Sequence, residues 1–172
     1  MNRFLLIVST ALCAALLAAG CSGSPDAPVA GTVGPARPPT HVDRTTPGSA
    51  VRAYLDGITY TYRMANSDAA SDTMTPYEFV RVDAYVELNR QEGRALEQTL
   101  TAFDVREVTG REPTMTVSTH EEWLYRYFSV ENMEYLSEDT TATYEADYTV
   151  IRQDDGLWLV NDVEVTPIGE VK

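Results

Sequence analysis

From Met115 to Tyr127 the chain alternates with a period of two. Met115, Val117, Thr119, Glu121, Trp123, Tyr125 and Tyr127 fall on one side, and Thr116, Ser118, His120, Glu122, Leu124 and Arg126 on the other. Side chains of a strand point to opposite faces in turn, so this pattern predicts a strand over Thr114 to Phe128 with its first face buried. A strand that long with one apolar face needs a second layer to cover it.

The flanking sequence supplies companions. Phe103 and Val105 alternate with Asp104 and Arg106 ahead of a turn at Thr109 to Pro113. After a polar loop from Glu131 to Thr140, Ala142, Tyr144, Ala146, Tyr148 and Val150 present an apolar face opposite Glu145, Asp147 and Thr149. Asp154-Asp155-Gly156 then closes a tight hairpin into Leu157 to Val165.

The covering layer precedes the strands. Thr46-Pro47 reads as an N-cap with proline at the first helical position, and Val51, Leu55, Ile58 and Tyr62, with Tyr54 beside them, recur at helical steps while Arg52, Asp56 and Arg63 face water. Asn66 to Asp72 is a polar link. Thr75-Pro76-Tyr77-Glu78 has the form of a capping box, with Glu78 placed to reach back to the cap amide. Phe79, Val82, Val86, Leu96 and Leu100 predict a second, longer helix, bent near Gly93. Helices followed by an antiparallel meander make an α+β domain over 47–167, with a tail at 168–172. Its N-terminal helices pack on a mainly antiparallel four-stranded sheet, and a strongly bent sheet wrapped round a long helix would make a cone-like arrangement.

Three strands carry a family resemblance. Glu122-Trp123-Leu124-Tyr125-Arg126-Tyr127-Phe128, Tyr144-Glu145-Ala146-Asp147-Tyr148-Thr149-Val150 and Gly156-Leu157-Trp158-Leu159-Val160 resemble strands of bacterial domains similar to the intermembrane-space domain of a plastid division protein. Those domains belong to the nuclear transport factor 2-like superfamily, and the resemblance spans roughly Pro47 to Val165. It implies a cone. Superfamily members include isomerases, dehydratases, pocket binders and interaction modules, so the fold does not choose among them. The plastid relative is implied to bind a partner, with no catalytic residue to carry across.

The N-terminus gives an address. Arg3, an apolar run from Phe4 to Ala19 and the small residues Ala18-Ala19-Gly20 before Cys21 read as a lipoprotein signal peptide over 1–20, cut between Gly20 and Cys21. The run is shorter than the roughly 20 apolar residues needed to cross a bilayer. Cys21 is the expected lipidation site, and two ester-bound acyl chains of the palmitate kind suffice for stable anchoring. Ala18 stands where leucine is more usual. Residues 21–46 are rich in Pro, Gly, Ala, Ser and Thr, and Pro25, Pro28, Pro35, Pro38 and Pro39 bias them to an extended tether of about 3 Å per residue. His41 is expected to be solvated there. The expected location is the extracytoplasmic face of the cell membrane, attached by the N-terminal lipid.

With Lys+Arg 13 against Asp+Glu 26 the formal net charge is −13, and loss of Arg3 with the leader makes the mature chain one unit more negative. Such a surface repels nucleic acid and anionic lipid heads. Cys13 leaves with the leader and Cys21 takes lipid, so no disulfide is expected. His120-Glu121-Glu122 lacks the second histidine of the zinc-binding helix motif, and neither metal nor cofactor is expected.

Glu121 is the catalytic candidate. Strand parity turns it inward, where burial raises a carboxyl pKa toward a value useful for proton transfer. The competing reading pairs Glu121 with Arg52, Arg63 or Arg94, or leaves it at a wet sheet edge. Tyr54, Tyr62, Trp123, Tyr125, Tyr144 and Tyr148 are either pocket lining or core. The favoured function is a lipid-anchored, non-catalytic module binding an unidentified protein or small ligand in the cell envelope. The alternative is an isomerase or dehydratase with Glu121 as base in an aromatic pocket.

Overall fold

The computed structural model describes residues 31–168; the leader, Gly20 and Cys21 lie outside the described residues. Its elements are helix α1 (Pro47–Met64), a 3₁₀ segment (Ser67–Thr73), helix α2 (Pro76–Gln91) and strands β1 (Arg94–Arg111), β2 (Thr114–Ser129), β3 (Thr140–Arg152) and β4 (Trp158–Pro167). The strands form one antiparallel sheet in the order β1-β2-β3-β4. Register shifts at Leu100/Ala102 and Val105/Glu107 on β1, and at Thr149/Val150 on β3, interrupt the ladders. Extra residues at such points bend and twist a sheet, and here it curls around the helices as an open cone.

Helix α1 is the plug of the cone. Thr46 Oγ1 accepts from the Ser49 amide at 3.2 Å while Ser49 Oγ accepts from the Thr46 amide at 3.1 Å, so two of the free N–H groups at the start are satisfied. The helix ends at Ala65, whose φ of 47° is left-handed. Ala50, Val51, Tyr54, Leu55 and Ile58 are buried against Val117, Trp123, Tyr148, Val150, Trp158 and Val160 from the sheet. Removing a Leu or Val side chain from water contributes about 1.5–3 kcal/mol, so this face supplies most of the helix's stability.

Gly57 marks the closest approach of α1 to the 3₁₀ segment: a Cβ there would sit 2.8 Å from that of Ala70. Alanine is the better helix former, yet the contact must open for it to fit. Gly57→Ala is therefore expected to destabilise the domain by about 1–3 kcal/mol in urea unfolding, and an increase in stability would show that the contact is soft.

The second helix is shorter than the sequence suggests. It stops at Gln91, Gly93 takes a left-handed φ of 69°, and Leu96 and Leu100 lie on β1. A spacing of four residues satisfies both a helical period and a period of two, so the leucines alone do not tell the two apart. The expected bend at Gly93 is a chain reversal.

The described part of the expected tether lies against the domain. The Val33 amide donates to Met133 O at 3.0 Å, Arg63 donates to Gly34 O, and the Trp158 amide donates to Arg44 O at 2.9 Å. His41, expected to be solvated, has its Nδ1 2.6 Å from Asp56 Oδ2. Among the described residues no helix is long and apolar enough to cross a membrane.

Candidate functional site

Two carboxylates are carried into the core, one by the sheet and one by α2. Glu121 is 3% exposed on the inner face of β2 with Val117, Thr119 and Trp123, as parity predicts. Its Oε1 accepts from Thr119 Oγ1 and Tyr148 OH, both at 2.7 Å, and its Oε2 accepts from Trp123 Nε1 at 2.8 Å. Both oxygens are occupied by neutral donors.

None of the three arginines named from sequence reaches Glu121. Arg52 pairs with Asp56 and covers the Phe103 ring, Arg63 pairs with Glu97, and Arg94 pairs with Glu92 and covers Tyr127. The arginine-pair and wet-edge readings therefore give way to a dry, hydroxyl- and indole-bound carboxylate. Burial first, and the Glu121 carboxylate next, hold the Tyr148 hydroxyl pKa well above its ordinary value, so Tyr148 stays a donor. His120 faces outward, its Nδ1 2.9 Å from Glu145 Oε1.

Glu78 is the second carboxylate, and it corrects the capping-box expectation. Thr75 makes no side-chain cap bond; its hydroxyl donates to Asn161 Oδ1 at 3.0 Å and its amide to Val160 O at 2.8 Å. Glu78, 3% exposed, turns into the core instead. It accepts from Tyr54 OH at 2.6 Å and from Arg81 Nη1 at 3.1 Å, and Arg81 continues to Asp162 and to Val163 O. Burial pushes its carboxyl pKa up, against the bonds from Tyr54 and Arg81. The rings of Tyr54 and Tyr148 meet edge to face at 6.1 Å, so the two carboxylate networks are neighbours within the core.

Of the residues expected to line a pocket, Tyr54, Trp123, Tyr148 and Glu121 are core. Tyr144 packs on the core from a partly buried position, and Tyr125 is partly buried, its hydroxyl pushed up to about 12 by burial and by Tyr144. Tyr62 contacts Tyr85 edge to face at 4.9 Å and lines a tight cleft with Asn89 and Leu96.

Ala65 and Val86 line both that cleft and an open groove of about 650 Å³. Met64 and Val130, 47% and 43% exposed, stand at the groove with Asn66, Asp68 and Arg90. Sequence reasoning did not find this site, because it is assembled from the end of α1, the 3₁₀ segment, the end of α2 and the loop after β2. No local pattern joins those segments.

Beside the groove a charged cluster fastens the loop. Glu97 accepts from Arg63, from Arg126 Nε at 3.0 Å and from Tyr135 OH at 2.6 Å, and the Arg126 guanidinium lies 3.4 Å from the Tyr135 ring centre. Burial raises the Glu97 pKa, but the bonds from Tyr135 and Arg126 and the charges of Arg63 and Arg126 outweigh it, and the net direction is down. Among the described residues no group of three or more His, Cys, Asp or Glu side chains is placed to hold a metal ion.

No family model matches the chain, and no curated protein matches it. Solved structures do. The intermembrane-space region of the chloroplast protein ARC6 is similar over 74% of this chain and 98% of its own, with a TM-score of 0.61 and 14% identity. A conserved protein from Planctomyces limnophilus DSM 3776 is matched over 69% of this chain and 95% of its own at a TM-score of 0.45 and 18% identity. At these identities the likeness to the ARC6 region is one of fold; this chain is an α+β domain with helices packed on a curled four-stranded sheet.

Proposed function

We propose that this protein is a lipid-anchored, non-catalytic binding module on the extracytoplasmic face of the cell membrane, of nuclear transport factor 2-like architecture. Its ligand is a protein segment or small molecule seated in the groove between α1, α2 and the loop after β2. The observation that carries this reading is the groove itself: apolar side chains left in water at Met64 and Val130, over a floor of Ala65 and Val86, with Arg90 and Asp68 as polar fixing points. The expected lipidation of Cys21, after a lipoprotein signal peptide, supplies the anchor in this reading.

An isomerase or dehydratase would require Glu121 to turn a lone pair toward substrate. Its two oxygens instead hold Thr119, Tyr148 and Trp123 in place.

The anchor is tested by detergent-phase partitioning: Cys21→Ser is expected to move the protein to the aqueous phase, and unchanged partitioning sinks the anchor. The groove is tested with a photocrosslinking residue placed at Val130 or Met64 in cells, with Val108 at the far hairpin as control. Discrete adducts are expected from Val130 that Met64→Glu abolishes, and from Met64 that Val130→Glu abolishes. No adducts, or the same adducts from Val108, would remove the groove as the binding site.

A further inference from the structure

Helix α2 is apolar on two opposed sides. Val82 and Val86 are buried, while Tyr77, Val80 and Leu88 are 61%, 65% and 43% exposed, with Ala84 exposed among them. Residues 77, 80, 84 and 88 follow one another at helical steps and share one stripe. A helix that only roofs a core has no need of this outer stripe, because polar residues there cost nothing. The small Ala84 leaves a shallow seat between Val80 and Leu88, a shape that receives side chains of a crossing helix.

The margins of the stripe are acidic. Asp83 and Glu87 lie along one side, both exposed, and Asp162 lies near the other, bound by Arg81. The cations nearby face carboxylates of their own: Arg81 bonds Glu78, Asp162 and the Val163 carbonyl, and Arg90 makes an exposed pair with Glu87 at 3.4 Å. The whole chain carries −13. Two copies docking antiparallel, stripe to stripe, about a two-fold axis would face Asp83 and Glu87 with their own equivalents, and an anionic lipid surface would meet the same repulsion.

We propose that this outer face of α2 docks a cationic amphipathic helix of a partner protein, with apolar anchors at i, i+3, i+4 and i+7 between lysines or arginines. The stripe lies on the opposite side of α2 from Val86, which floors the groove, so it is a second surface and stands or falls separately.

The test uses the full chain in phosphatidylcholine nanodiscs and a fluorescent Leu/Lys peptide patterned in this way. Its counterpart with glutamate for lysine and a scrambled Leu/Lys peptide are the controls. The patterned peptide is expected to bind, Val80→Ser/Leu88→Ser to weaken it about tenfold or more, and Asp83→Asn/Glu87→Gln to weaken it several-fold with a shallower salt dependence. Tyr77→Ser, at the other end of the stripe, is expected to weaken it as well, and thermal melting checks that these exposed replacements leave the fold intact. Equal binding by the scrambled or glutamate peptide, or by the Val80→Ser/Leu88→Ser protein, would overturn the proposal, since the attraction would then be diffuse charge. Stripe-dependent self-association in sedimentation, or stripe-dependent capture by phosphatidylglycerol vesicles, would overturn it in favour of a second copy or a membrane.

Discussion

Glu121→Ala is expected to lower the stability of the domain by about 3–5 kcal/mol, read as a shift in the urea midpoint. The alanine strands two buried donors at once, Tyr148 OH and Trp123 Nε1, and leaves the Thr119 hydroxyl only its longer bond to Ala146 O at 3.3 Å. Each unsatisfied buried group costs about 1–3 kcal/mol before local relaxation. Glu121→Gln is expected to cost less, because its carbonyl oxygen still serves Thr119 and Tyr148. Its amide nitrogen, however, meets the Trp123 N–H donor to donor. The experiment also separates structure from catalysis. A carboxylate kept for proton transfer in a wet pocket is commonly a burden on stability, so its removal leaves stability level or raises it. Stability of Glu121→Ala within about 0.5 kcal/mol of the parent would restore Glu121 as a catalytic candidate.

Glu97→Gln is expected to flatten the loss of stability on acidification and to cost about 1–2 kcal/mol at neutral pH, after allowance for solvent screening of a partly exposed group. The folded protein holds the Glu97 carboxyl below its ordinary range, so the folded state binds its proton later than the unfolded chain does. Its contribution is fully present above the ordinary glutamate value of 4.5 and disappears as pH falls through the depressed folded value. Glu78 acts in the opposite sense. Its folded pKa is raised, so its contribution favours the fold at low pH and declines as pH rises from 4.5 through the folded value. The acid limb of the parent is thus partly offset by Glu78, and Glu78→Gln is expected to steepen it. Urea unfolding of parent and variants from neutral pH down to about pH 3 reads both effects. Superimposable limbs for parent and Glu97→Gln would show that Arg63, Arg126 and Tyr135 do not depend on that charge. Because Glu97 fastens Tyr135 and the loop after β2, the variant is also expected to speed hydrogen exchange at the Val33 amide, which donates to Met133 in that loop.

Much of the sheet is legible in the chain because period two is a local signal. Thr119, Glu121 and Trp123 are spaced to share one face, and that spacing alone brings a hydroxyl, a carboxylate and an indole together. Tyr148, the third donor to Glu121, comes from β3, where it stands opposite Val117 rather than Glu121. Only the sheet register and the reach of a tyrosine side chain bring it there. The helix boundary at Gln91 was obscured for a different reason: Leu96 and Leu100 fit either period, and only the left-handed φ at Gly93 decides between them.

Local pattern misled where one residue served two masters. Thr75 and Glu78 have the spacing of a capping box, but a deep core site with Tyr54 and Arg81 competes for the same carboxylate and wins. The contacts of residues 31–46 with the domain are illegible in the sequence for another reason: they run largely through backbone carbonyls and amides, which any sequence carries.

What the sequence by itself determined about this protein is therefore whatever repeats within one element. That covers two helices, four strands, their inward faces, the α+β order and an excess of negative charge. The tertiary structure alone decided that Glu121 is a bound acceptor, that Glu78 points inward, and that Met64, Val86, Arg90 and Val130 surround one groove. The physical reason is range. Periodicity and capping act over a few residues along the chain, whereas hydrogen-bond saturation and concave shape depend on groups that meet only after the sheet has curled around α1.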